Sequence, residues 1–165
     1  MTARVQSDGR WFVVWRKVFF AAILGALLLP SCGTKDSSEL CRGNLRILGR
    51  IITREYSAQE LAVLFAAEDP WQAIVEDWTT HRGKPRSDLP TDLCLCPAAK
   101  GVPLCMNRSL GNALKNGLSP SEVPIIWDRP GNHTVVPVYF LDGRCTAMPI
   151  EEFRRVLQRA QVAPQ

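Results

Sequence analysis

One segment carries most of the residue types that could do chemistry. The chain has two histidines, and His133 lies between Asp128 and Asp142 in WDRPGNHTVVPVYFLDGR. If a sheet brings these three side chains together, they could bind a hard cation such as calcium. His133 could instead pin a turn with one hydrogen bond, or act as a base beside a carboxylate. We predict the structural role first, a metal site at Asp128, His133 and Asp142 second, and catalysis last.

Other sequence features argue against an enzyme. His81 lies in the polar segment WTTHRGKPR, which is typical of a solvated loop. The chain has no Gly-x-Ser-x-Gly, no phosphate-binding glycine loop and no His-Glu-x-x-His. We therefore predict a protein without catalytic activity and without a cofactor, calcium being the exception considered.

The N-terminus predicts export. Four basic residues lie within the first 17 positions, and an uncharged apolar run follows from Val18 to Pro30. A basic flank, a short apolar run and small residues are the parts of a signal peptide. The run is short for a bilayer span, which needs about 20 apolar residues. We assign residues 1–31 to a signal peptide or membrane anchor, 32–39 to a tether and 40–165 to one globular domain.

Cys32 ends the apolar run in the sequence LPSC. These four residues resemble the lipobox of bacterial lipoproteins, in which the cysteine becomes the lipid-modified N-terminus. The resemblance implies lipidation at Cys32 and a periplasm-facing domain anchored in the cell envelope. Ordinary cleavage, or an uncleaved helical anchor, is the alternative.

Export also bears on the other five cysteines. In an oxidising compartment they tend to pair as disulfides. We predict a bridge from Cys105 to Cys96, with Cys94 as the alternative partner, and a second candidate bridge between Cys41 and Cys145. Zinc binding by Cys94, Cys96 and Cys105 is the alternative to a disulfide, but the spacing of these cysteines differs from that of the usual zinc-binding pairs.

The charge balance excludes one class of partner. The whole chain carries a net charge of +4, but without residues 1–31 it has 16 basic against 15 acidic residues. Such a balance leaves little net positive charge to attract the phosphates of a nucleic acid. We predict no nucleic-acid partner.

The pattern of apolar residues predicts an α+β fold. Leu45, Leu48 and Ile52 recur at helical spacing, and Ser57 to Glu60 has the spacing of a capping box. Two β-rich runs follow, VPIIWD and TVVPVYFL, with Pro137 predicting an edge or broken strand. Asp142-Gly143 predicts a tight hairpin turn, and PIEEFRRVLQRA predicts a C-terminal helix.

Three segments together resemble one bacterial family. They are CRGNLRILG (41–49), CPAAKGVPLCMN (96–107) and IIWDRPGNHTVVPVYFLDGR (125–144). They resemble type II secretion pseudopilin-like proteins with a prepilin-type processing-associated domain, defined by His, nine residues, then Asp-Gly. Here eight residues separate His133 from Asp142, and the N-terminus lacks the Thr and Glu of a prepilin leader.

The resemblance implies a long N-terminal helix packed on a small antiparallel sheet. It also implies a non-enzymatic role through contacts with other pseudopilin or secretion-system proteins. Kinship with calcium-binding pseudopilins adds calcium as an implied ligand. We therefore expect an exported, membrane-anchored pseudopilin-like protein, with a cation- or small-ligand-binding envelope lipoprotein as the alternative.

Overall fold

A long amphipathic helix opens the part of the chain that the computed structural model describes, residues 37–97, 99 and 101–161. Helix α1 spans Ser37–Glu55. Its stripe of Leu45, Leu48 and Ile52 is fully buried, as the helical spacing predicts. The helix begins inside the range 32–39 predicted as a tether, so the domain starts earlier than expected. The predicted signal segment and Cys32 lie outside the described residues.

Two shorter helices follow, each started by a cap that is legible in the sequence. Helix α2, Ala58–Phe65, begins with the predicted capping box of Ser57 and Glu60. Helix α3, Pro70–Glu76, has Pro70 in its first turn and Asp69 as its N-cap. Three short turns follow these helices: a π-helical turn and two 3₁₀ turns, at Asp77–His81, Arg86–Asp88 and Thr91–Cys94.

The second half of the chain forms an antiparallel sheet with strands in chain order. A short helix, α4 (Leu110–Lys115), connects the first two strands, and helix α5 (Ile150–Arg159) follows the last. The Asp142-Gly143 turn joins the last two strands as predicted, with Gly143 at a φ of 89°. The strands are β1 Cys105–Met106, β2 Pro124–Trp127, β3 Val135–Phe140 and β4 Cys145–Pro149.

Each face of the sheet supports its own core, because side chains alternate along a strand. Tyr139 and Ile126 pack toward α1, in what we call the α1 core. Val138 and Trp127 pack toward Phe153 of helix α5, in what we call the α5 core. The predicted α+β class, with a long helix against a small antiparallel sheet and a helix at the C-terminus, is confirmed.

Helix α1 approaches the sheet closely at one glycine. A Cβ added at Gly49 would lie 2.5 Å from the ring carbons of Tyr139. One turn further along the helix, Thr53 Oγ1 lies 3.3 Å from the Tyr139 hydroxyl. The absent side chain at Gly49 therefore sets the distance between α1 and β3.

The prediction that Pro137 lies on an edge or breaks its strand is wrong. Strand β3 is internal, between β2 and β4, and Pro137 pairs with Ala147 of β4. Its carbonyl accepts a hydrogen bond from Asp128 N at 3.0 Å. The N–H and C=O of a strand residue point to the same side, so the missing N–H faces the end of β2, where the ladder stops anyway.

Candidate metal centre

The cysteine of α1 lies on the buried stripe of that helix. Cys41 comes one turn before Leu45 and is completely buried, since residues four apart share a helix face. Its thiol donates a hydrogen bond to Asp128 Oδ2 at 2.7 Å. The side chain therefore joins α1 to the end of β2.

Cys96 is held by a small loop that follows the last 3₁₀ turn. Its backbone N–H donates to Val102 O at 2.9 Å, and Leu104 N donates to Cys94 O at 2.8 Å. The N–H of Ala99 donates to Cys96 Sγ at 3.4 Å. The loop folds around a buried sulfur, which is also 3.4 Å from His133 Nε2.

Asp128 directly follows β2, and its two carboxylate oxygens have separate roles. Oδ1 accepts hydrogen bonds from Arg129 N and Asn132 Nδ2, each at 2.7 Å. These bonds fix the carboxylate and the turn after it. Oδ2 points to the other side, where it meets the Cys41 thiol and, at 2.7 Å, His133 Nε2.

These four side chains, Cys41, Cys96, Asp128 and His133, form what we call the ligand cluster. One ligand atom from each lies within 4.8 Å of every other. The His133 and Asp128 side chains are 2% and 0% exposed. A tetrahedral zinc ion with bonds of the usual length holds its ligand atoms about 3.3–3.8 Å apart, so the cluster has the size and the donors of a zinc site.

Burial and hydrogen bonds set the charges in this cluster. Burial by itself would raise the pKa of Asp128, but hydrogen bonds from Cys41, Cys96 and Asn132 outweigh it and the pKa is lowered. Burial, followed by the neighbouring Asp128 carboxylate, raises the pKa of the Cys41 thiol far above its ordinary value. Without a cation, the aspartate is therefore ionised and the Cys41 thiol is protonated.

The geometry does not suit a Cys-His-Asp catalytic triad. In such a triad the two ring nitrogens divide the work, one facing the nucleophile and the other facing the carboxylate. Here the Cys96 thiol and the Asp128 carboxylate both contact Nε2 of His133. One nitrogen cannot relay a proton between two groups that it meets on the same side, whereas a metal ion needs donors that converge in this way.

Two of the three predicted metal residues are brought together and one is not. Asp128 and His133 belong to the ligand cluster, but Asp142 is exposed in the hairpin turn. Its Oδ1 accepts from Arg144 N at 2.9 Å, and its Oδ2 lies 3.8 Å from Arg144 Nε. Assigning Asp142 to the metal site was wrong, because eight strand and turn residues carry it to the far end of β3. His81 is largely exposed beside Asp77, as predicted.

The predicted disulfides are not found, because none of the five described cysteines is bridged in this structure. Cys105 packs in the α5 core while Cys96 packs in the α1 core, so the sheet separates them. Cys94 packs in the α1 core and is not bridged to Cys105. The Cys145 thiol donates to Arg42 O at 3.5 Å, whereas the Cys41 thiol turns toward Asp128.

Cys41 and Cys96 are the members of the ligand cluster that sequence reasoning missed. The ligand cluster gathers residues from α1, from the loop before β1 and from the β2–β3 connection, with no short spacing between the two cysteines. The signal was present only in the segments CRGNLRILG and CPAAKGVPLCMN, each of which begins with one of these cysteines. A matching role for the two could be assigned only once the fold placed them together.

Comparison of the chain with protein-family models, with curated proteins and with solved structures finds no match. Within residues 37–161, apart from the two positions not described, no helix is both long and apolar enough to cross a bilayer.

Proposed function

We propose that this protein is an exported, membrane-anchored domain of the bacterial cell envelope that binds one zinc ion through the ligand cluster. The observation that carries the proposal is the convergence of two thiols, one imidazole and one carboxylate oxygen within 4.8 Å inside the core. Three segments that are far apart in the sequence contribute to it. A buried group of ionisable side chains is costly unless its members are paired or coordinate a metal.

The donor set favours zinc over calcium. Calcium takes six to eight oxygen ligands, and the ligand cluster offers sulfur, nitrogen and one oriented carboxylate oxygen. Thiolate and imidazole together suit zinc, which accepts four such ligands in a tetrahedron. The calcium that the sequence analysis considered is therefore replaced, in this proposal, by zinc.

The site would act by stabilising the fold rather than by catalysis. A structural zinc site has four protein ligands, whereas a catalytic one keeps a position open for water or substrate. Here Cys41 comes from α1, Cys96 from the loop before β1, and the other two ligands from the β2–β3 connection. A metal ion held by all four would fasten the helix to the sheet.

Asp128 also has the surroundings of a metal ligand. Its Oδ1 is held by Asn132 and by the backbone of Arg129, which leaves Oδ2 oriented toward the other donors. Partners of this kind orient a ligand and are typical of metal sites. Zinc binding would lengthen the short contacts of Oδ2 to about 3.4 Å, the spacing of a tetrahedron.

Metal content of the full chain tests this proposal. The detergent-solubilised protein, purified under reducing conditions and equilibrated with zinc, should retain one zinc per chain by inductively coupled plasma mass spectrometry. Cys96→Ser should lose it. Cys105→Ser is the matched control, because that cysteine is also buried but packs in the α5 core, and this variant should keep its zinc.

Two results would contradict the zinc site. One is a folded protein that contains no zinc, either as purified or after equilibration with zinc. The other is a disulfide between Cys41 and Cys96, found by peptide mapping of unreduced protein, because the two sulfurs cannot be both bridged and bound as thiolates. Calcium in place of zinc should leave the melting temperature unchanged.

A role through protein contacts is the second candidate, supported by the packing of α1 on the sheet. A long helix against a small antiparallel sheet is the arrangement that the pseudopilin-like resemblance implies. In this reading the domain joins other envelope proteins, of the pseudopilin or secretion-system kind, and zinc keeps it folded. Cross-linking in intact envelopes, followed by mass identification of the linked proteins, tests it; recovery of the chain without a linked envelope protein would count against it.

A further inference from the structure

Helix α1 has a second face, opposite the stripe that packs on the sheet. Residues 43, 46, 47, 50 and 54 lie on this outer face, and all are exposed. On a helical projection they centre about half a turn from Leu45 and Ile52. The outer face is thus directed away from the domain along most of the helix.

Three arginines dominate the charge of this face. Arg46, Arg50 and Arg54 are all exposed, and among the described residues none of them forms an ion pair within 4.0 Å. The neighbouring acid Glu39 is paired with Arg42, and Glu55 with Lys84. The face therefore presents three cationic groups that are not neutralised.

Apolar side chains lie among these arginines. Leu40 is 49% exposed and Ile47 is 51% exposed, although the domain has two cores in which such residues could be buried. They are seven residues apart, which puts them on one line along the helix. On an anionic lipid surface, electrostatic attraction of the arginines would add to the small apolar area that Leu40 and Ile47 can bury.

We infer that the outer face of α1 docks on an anionic phospholipid surface, with Arg46, Arg50 and Arg54 on the phosphates and Leu40 and Ile47 at the level of the headgroups. The inference rests on the membrane anchor of the proposed function. If Cys32 carries the lipid, the residues up to Ser37 span at most about 18 Å. The start of α1 is therefore held near the bilayer whichever way the domain turns.

The spread of the charges favours lipid over an acidic protein. From Leu40 to Arg54 the outer face runs for about 21 Å along the helix axis, with its arginines spaced about one turn apart. Such a diffuse row matches a plane of mobile headgroups, to which each basic side chain contributes separately. Arg46 also reaches Cys145 of strand β4, so it marks the border between the outer face and the sheet.

Tryptophan quenching in the full chain tests this docking. Ile47→Trp places a reporter on the outer face, and the signal is read as the difference from the unsubstituted chain. The protein is reconstituted into vesicles of brominated phosphatidylcholine, with or without about a third phosphatidylglycerol. We expect strong quenching only in the anionic vesicles, and loss of most of it when sodium chloride is raised to about 0.5 M.

Two variants serve as controls. Val63→Trp reports from α2, where Val63 is 74% exposed, and should show no dependence on lipid charge. Replacing the three arginines by glutamine, which keeps helix propensity, should abolish the quenching at position 47 while the chain still sediments with the vesicles.

Equal quenching in neutral and anionic vesicles, or none in either, would overturn the docking. An acidic protein as the true partner would give the second of these results. A failure of the membrane anchor can be distinguished from a failure of docking. Without an anchor the chain would be absent from pelleted neutral vesicles, but docking would still cause tryptophan quenching in the anionic vesicles.

Discussion

The α5 core and the α1 core lie on opposite faces of one sheet and are stabilised differently. In the α5 core, Trp127 and Phe153 pack with ring centroids 5.7 Å apart among aliphatic side chains. The α1 core buries similar aliphatic residues but also reaches the ligand cluster at one end. The α5 core is stabilised by side chains whose volumes and shapes fit together. The α1 core also requires that the charges and hydrogen-bonding groups of the ligand cluster have partners.

Two cysteines make the same comparison at the scale of one residue. Cys105 lies in the α5 core, where burial raises the pKa of its thiol against the opposing effect of the Arg129 side chain. Cys96 is about as buried but faces an imidazole, a backbone N–H and an ionised carboxylate. Burial alone therefore does not identify a functional cysteine; its neighbours do.

The largest expected effect is at Asp128, where one side chain serves four partners. Asp128→Ala should lower the free energy of unfolding by about 4 kcal/mol, because it leaves the buried donors of Cys41, His133 and Asn132 without their acceptor. Denaturant melts of the chelated protein would measure it. Asp142→Ala is the control in the exposed turn, and an equal loss for both variants would show that Asp128 has no special role.

Phe153→Ala tests the opposite core. It should cost about 3 kcal/mol by leaving a cavity beside Trp127. A zinc chelator should lower the stability of the unsubstituted chain. The difference in stability between Phe153→Ala and the unsubstituted chain, however, should be the same with and without the chelator. If the chelator changes the stability lost in Phe153→Ala, then the two faces of the sheet are not separate units.

Gly49→Ala tests the contact between α1 and the sheet. The added methyl group would meet the ring of Tyr139, and overpacking of this kind should cost about 2 kcal/mol, even though alanine favours the helix. Gly43→Ala is the matched control, since nothing lies within 4 Å of a Cβ there. A stabilising effect at both positions would show that α1 can move away from β3 freely.

The smallest effect is the pH dependence of the chelated protein. The pKa of Asp128 is lowered from its ordinary 3.8, so its contribution is present above that value and is lost as the pH falls below it. The pKa of Cys41 is raised from its ordinary 9.0. The stabilisation of the fold by the protonated thiol is therefore present below pH 9.0 and is lost as the pH rises further. Thermal melts across pH should show both losses, and zinc should remove the alkaline one because the bound cysteine is already a thiolate. A profile that is flat above pH 9 in the chelated protein would contradict this assignment.

Local signals explain which parts of the fold could be predicted from the sequence. The stripe of Leu45, Leu48 and Ile52, the Ser57 capping box and the Asp142-Gly143 turn depend on residues close in the chain, and each is found as predicted. The prediction for Pro137 was wrong because it ignored strand pairing. The missing N–H of Pro137 is harmless because it faces the end of β2, and no residue close to Pro137 in the sequence indicates where β2 ends.

The site was predictable only in part, for the same reason. Asp128 and His133 share one loop, and their proximity followed from short spacing. Cys41 and Cys96 reach them only after α1 has packed on the sheet and the loop before β1 has closed. The pairing of Cys96 with Cys105 was attractive because they are close in sequence, but alternation along β1 turns Cys105 toward the other core.

X-ray absorption at the zinc edge of the loaded full chain tests the central claim most directly, because it counts the atoms around the metal. The ligand cluster predicts two sulfurs at about 2.3 Å and two nitrogen or oxygen atoms at about 2.0–2.1 Å. In Cys96→Ser any zinc that remains should have one sulfur at most. A shell of nitrogen and oxygen alone, or a sulfur shell that is unchanged in Cys96→Ser, would contradict a zinc ion held by Cys41, Cys96, Asp128 and His133.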